Sequence, residues 1–86
     1  MAEYKLNKNG EGLIPLGETY ISDGAFKGNK KLKSIVIPDG VTDIGWNAFS
    51  ECTNLKSVVI PISVEYICSM ALYNCTELTS MTIPEK

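Results

Sequence analysis

The side chains able to carry chemistry are three cysteines (Cys52, Cys68 and Cys75) and ten carboxylates; histidine is absent. Its absence removes the commonest general base and the commonest metal ligand. An odd cysteine count leaves at least one thiol unpaired in a monomer. With no histidine and no C-x-x-C pair, the three do not make a zinc site. Cys52 and Cys75 are 23 residues apart and read either as a disulfide or metal pair, or as stacked small hydrophobes near the end of a turn. The second reading is preferred, because free cysteine is among the most buried residue types. Cys68, beside Ile67, is a candidate exposed thiol. The carboxylates Glu11, Glu18, Asp23, Asp39, Asp43, Glu51, Glu65, Glu77 and Glu85 are scattered along the chain. Asp39 and Asp43 flank Gly40 in what reads as a solvated turn. General acid–base catalysis needs an enclosed pair with separated pKa values, and this spacing provides none. The seven glycines form no G-x-G-x-x-G before a helix; Gly17 and Gly40 share a turn position. Asn74-Cys75-Thr76 matches a glycosylation sequon, which reads as a chance match. The expectation is a protein with no catalytic residue, cofactor or metal, and not an enzyme.

What positions these residues is a period. Pro15, Pro38, Pro61 and Pro84 are 23 residues apart, and each follows an isoleucine (Ile14, Ile37, Ile60, Ile83). A fixed repeat in the twenties marks a solenoid, in which one short unit stacks on copies of itself. Aligned on proline, the matched columns are Ile21/Ile44/Ile67, Ala25/Ala48/Ala71, Phe26/Phe49/Leu72, Leu32/Leu55/Leu78, Ser34/Ser57/Ser80 and Ile35/Val58/Met81. Apolar columns kept in phase face one interior. Within a unit, residues 32–37 alternate and read as a short strand with Leu32, Ile35 and Ile37 inward. Proline ends it, having no N–H for the next rung. Val41 and Ile44 (Val64 and Ile67 one turn on) suggest a second extended stretch, and residues 46–52 read as one helical or 3₁₀ turn.

At 86 residues, 44% hydrophobic and 21% charged, the chain has the composition of one small folded domain. A net charge of −2 leaves no overall electrostatic footprint for nucleic acid or an anionic membrane. No apolar run approaches the ~20 residues of a membrane span.

The run Cys52-Thr-Asn-Leu55-Lys-Ser-Val58-Val-Ile60-Pro61-Ile-Ser-Val64-Glu-Tyr-Ile67-Cys-Ser-Met-Ala71-Leu72 resembles the BspA-like, or treponemal-type, leucine-rich repeat. The resemblance covers roughly residues 14 to 86. It implies a leucine-rich-repeat solenoid: a right-handed superhelix with a concave parallel β-sheet and short helical or 3₁₀ turns, three repeats plus an N-terminal cap. Members are typically bacterial or protist surface proteins that bind host or matrix proteins and other cells. The implied role is therefore a non-enzymatic protein-interaction or adhesion module, and the alternative is a self-associating unit pairing through its C-terminal repeat. A protein partner is expected, a homo-oligomer through the C-terminal end is the alternative, and neither nucleic acid nor membrane insertion is expected. The opening residues lack the apolar h-region of a secretory signal; a fragment of a family member would sit at the cell surface or be secreted, and otherwise the protein would be cytoplasmic.

The repeats are placed at 14–36, 37–59 and 60–82, with a partial unit at 83–86. Glu18 replaces valine and Asn29 replaces cysteine in the first unit, and residues 9–13 do not supply a proper preceding strand. Residues 1–13 are therefore assigned as a cap, with an edge hairpin turning at Asn9-Gly10. The candidate protein-binding residues are those pointing outward on the strands: Ser34, Val36, Ser57, Val59, Ser80 and Thr82, flanked by Lys33 and Lys56. Tyr20, Trp46, Tyr66 and Tyr73 lie outside the core columns and are candidate aromatic anchors.

Overall fold

The structure is a computed structural model and describes residues 4–83. Pro84 and the rest of the partial fourth unit, with residues 1–3 of the cap, lie outside the described residues.

Eight short strands follow one another: β1 (Lys5–Leu6), β2 (Glu11–Leu13), β3 (Tyr20–Ile21), β4 (Ser34–Val36), β5 (Asp43–Ile44), β6 (Ser57–Val59), β7 (Tyr66–Ile67) and β8 (Ser80–Thr82). They form a five-stranded sheet in the order β1-β2-β4-β6-β8 and a three-stranded sheet in the order β3-β5-β7. All pairings are parallel except β1 with β2. The register equals the sequence period: Ser34 faces Ser57 and Ser57 faces Ser80, while Ile21 faces Ile44 and Ile44 faces Ile67. The chain is a β-solenoid of about three coils. Each strand of the larger sheet ends where expected. Ile37 N–H donates to the Val59 carbonyl at 2.9 Å as the last rung, and Pro38 has no N–H to extend the ladder. Val41 N–H then closes on the Pro38 carbonyl, with Gly40 at φ 99° in the place where such a turn demands a left-handed residue.

Between the sheets runs a third wall, and here the expectation of helical or 3₁₀ turns is corrected: no residue of the described chain is helical. In the first coil the amides of Ala25, Lys27 and Asn29 close three-residue turns on Ser22, Gly24 and Phe26. The intervening amides of Gly24, Phe26 and Gly28 donate instead to Trp46, Ala48 and Ser50 of the next coil. A helix would spend every amide inside its own coil. Alternation leaves half of them to hold neighbours together, and it requires left-handed residues, which stand at Gly24, Asn47 and Met70 and again at Gly28, Glu51 and Asn74.

The core lies between the walls and follows the columns: Ile21, Phe26, Leu32, Ile35, Ile37, Val41, Ile44, Ala48, Phe49, Leu55, Val58 and Ile60 are buried. Phe26 and Phe49 stack with centroids 5.6 Å apart.

Below the first coil, β1 and β2 form an antiparallel hairpin. One expectation fails here: residues 11–13 do form a preceding strand, parallel to β4, with Gly12 opposite Ile35. A Cβ at Gly12 would lie 2.9 Å from Ile35 Cδ1 and 3.0 Å from Leu32 Cδ1, so the core space of that column is already filled from above. Tyr4 completes the cap. Its ring packs on Phe26 at 5.4 Å, adding an aromatic rung beneath the first coil. Its hydroxyl accepts Ser22 N–H at 3.0 Å; the equivalent amides of Gly45 and Cys68 bond to carbonyls of the preceding coil. The same hydroxyl donates to Glu18 Oε1 at 3.2 Å, which gives the glutamate in the valine column a partner.

Candidate interaction surface

The outward side of the five-stranded sheet carries two rows. By register, one runs Ser34, Ser57, Ser80 and continues backward to Glu11 on β2. The other runs Val36, Val59, Thr82. Counting back 23 residues from Val36 gives Leu13, which is 48% exposed, beside Val36 at 67%. A shallow groove of about 340 Å³ lies over this end of the sheet, with Leu13, Ser34, Val36 and Pro38 among its walls. Lys33 and Lys56 are exposed at the rim, joined by Lys56 N–H donating to the Lys33 carbonyl. The structure thus brings all eight predicted residues onto one sheet and its rim, and adds Glu11 and Leu13. Those two were readable from the period alone; the glycines at 10 and 12 hid them by breaking the strand pattern.

The other candidates are spread over the remaining walls. All three cysteines are free. Cys52 Sγ donates to the Phe26 carbonyl at 3.0 Å and Cys75 Sγ to the Phe49 carbonyl at 3.1 Å, so each thiol stitches its coil to the one before. Burial pushes the Cys52 thiol up to about 11 and raises that of Cys75 as well. Asn29, in the same column, has no earlier coil to reach; its Oδ1 accepts the amides of Lys31 and Leu32 and closes the turn locally. Cys68 is half-buried. Asp43 accepts from Thr42 Oγ1 at 2.6 Å. Tyr20, Trp46, Tyr66 and Tyr73 are exposed. Asp23 Oδ1 accepts both the Tyr20 hydroxyl and the Trp46 amide, and that carboxylate bond holds the Tyr20 phenol above its usual range. No group of three or more cysteine or carboxylate residues among the described residues is placed to hold a metal ion. No helix among them is long and apolar enough to cross a membrane.

A constant 23-residue register, with proline at each strand end, is the framework in which comparison with known proteins is informative. A family model described as "BspA type Leucine rich repeat region (6 copies)" matches residues 12–86. The chain belongs to the BspA-type leucine-rich repeat family. Among solved structures, this BspA-type chain is similar to a leucine rich cell surface protein from Faecalibacterium prausnitzii A2-165, with 41% sequence identity and a TM-score of 0.72. The match covers 74% of this chain and 17% of that one, so the chain spans about a sixth of the length of the protein it resembles. No curated protein matches it.

Proposed function

We propose that the chain is a non-enzymatic protein-interaction module of the adhesion type, acting at the cell surface, with the outward rows of the larger sheet as its contact face. The observation that carries this reading is the continuity of the apolar row Leu13–Val36–Val59 beside the polar row Glu11–Ser34–Ser57–Ser80. Both are held in register by backbone ladders, so their order is fixed before any partner arrives. Lys33, Lys56 and Thr82 complete the patch. The printed description of the similar structure, a cell surface protein, supports the location. The face is about 20 Å by 10 Å at ordinary strand spacings, well below the ~800 Å² per partner of a stable complex. This scale favours weak, many-coil contacts.

The test is capture of purified extracellular-matrix proteins on beads carrying the chain. Val36→Glu with Val59→Glu removes capture while circular dichroism stays unchanged. Equal capture by the variant, or none by the wild type, overturns the assignment of this face. A second reading, end-on pairing through the third coil, is favoured by the exposure of Ile67 and Met81. Sedimentation across a hundredfold dilution decides it, since a chain that stays monomeric at the highest concentration sinks the pairing.

A further inference from the structure

A second surface lies away from the apolar row. Between the hairpin turn and the loop that returns to β4 is an open cleft of about 510 Å³, whose walls include Asn7, Lys8, Asn29, Lys30, Lys31 and Lys33. Half of the chain's eight lysines line it, although the net charge is −2. The cluster is therefore not a by-product of a basic composition.

The fold assembles it from two distant segments. Lys33 N–H donates to the Gly10 carbonyl at 2.7 Å, tying the hairpin turn to the loop. Gly10, buried and at φ 79°, has no room for a side chain: a Cβ there would lie 2.8 Å from the Lys31 carbonyl oxygen and 3.0 Å from Lys33 Cγ. Lys33 thus lays its stem over the hairpin and leaves its ammonium at the rim, the usual solution for a long cation on an apolar bed. Asn29 folds the loop by accepting the Lys31 and Leu32 amides.

None of the four ammoniums is ion-paired among the described residues. Lys30 Nζ donates to a neutral acceptor, the Glu51 carbonyl, at 3.2 Å. Glu11, on the strand after the hairpin turn, accepts from Asn7 Nδ2 at 2.6 Å instead of from a lysine. Lys56 occupies the rung above Lys33, and like charges on neighbouring strands destabilise a sheet. A bound anion would relieve that repulsion.

We infer that this cleft is an anion-binding site for a sulfated polysaccharide, a function beyond the protein-binding face. Lysine is a point charge without the planar fork that arginine offers to carboxylates, so recognition here rests on charge density. No aromatic residue lines the cleft, which removes the stacking platform that single-stranded nucleic acid uses.

The test is binding of heparin to the whole chain at increasing salt. Four ammoniums give a slope of log affinity against log salt of about −3. The triple variant Lys8→Gln, Lys30→Gln, Lys31→Gln lowers affinity at least tenfold and flattens the slope to about −1, with an unchanged thermal melt. Val36→Glu leaves heparin binding intact, so failure of either surface is separable from failure of the other. The inference is overturned by absence of heparin binding, by equal binding of the triple variant, or by tighter binding of poly-L-glutamate or a single-stranded oligonucleotide than of heparin.

Discussion

Cys52 places its thiol on the carbonyl of Phe26 inside a fully buried column. Its ionisation is therefore a folding event. The folded pKa is raised from 9.0 to about 11, so the unfolded chain gives up this proton first as pH rises. The stabilisation is fully present below pH 9 and lost as pH climbs towards 11, about 2 kcal/mol over that window. Urea denaturation at pH 8 and pH 10.5 checks this: Cys52→Ala loses less stability over the interval than the wild type, and parallel loss in both would remove the thiol as the cause. Tyr4 is the second residue whose single polar atom matters. Tyr4→Phe keeps the ring on Phe26 and strands the Ser22 amide, costing about 1 kcal/mol. Tyr4→Ala also removes the aromatic rung, for about 3 kcal/mol or more, and the difference between the two melts separates the roles.

The turn wall is the element whose backbone is least ordinary. Its left-handed columns hold Gly24, Asn47, Met70 and Gly28, Glu51, Asn74. Glycine and asparagine suit this conformation; methionine and glutamate pay about 1–2 kcal/mol for it. Met70 is half exposed, so Met70→Gly trades little packing for relief of that strain. Denaturation should show a net gain of about 0.5–1 kcal/mol after the greater entropy of unfolded glycine, and Met70→Val should lose stability. A loss with glycine would mean that Met70 packs more than its exposure suggests. The wall also shows where sequence reading reached its limit. The strands and their inward residues followed from proline and alternation. The wall did not, because its small-and-bulky Ala48-Phe49 pattern suits a helical turn equally well. What decides against helix is the bonding of alternate amides to the next coil, and single-coil periodicity carries no trace of that. Gly12 hid β2 for a related reason: its column is filled by Leu32 and Ile35 from the coil above. The lysine cleft escaped because Lys8 joins Lys30, Lys31 and Lys33 only through the hairpin.

Across the whole molecule the layers are not equal. The hairpin and Tyr4 cover the first coil, and the second lies between neighbours, with Ile44, Phe49, Leu55 and Val58 at 2% exposure or less. In the same columns of the third coil, Ile67 is 47% and Met81 38% exposed, and Leu72 and Leu78 are only partly buried. In a stack whose stability is a sum of coil and interface terms, a coil with one interface opens before a coil with two. Hydrogen exchange of the 86-residue chain should therefore rank the ladders by position. The Cys68 and Ser80 amides, bonded to the Ile44 and Lys56 carbonyls, exchange first. The Gly45 and Lys56 amides, bonded one coil lower to Ile21 and Lys33, follow. Burying the third coil's apolar end, whether by end-on pairing or by a covalently added repeat, should slow the first group and leave the second nearly unchanged. Uniform exchange across both groups would show instead that three coils and a hairpin open as one unit, with the interface terms outweighing the missing neighbour.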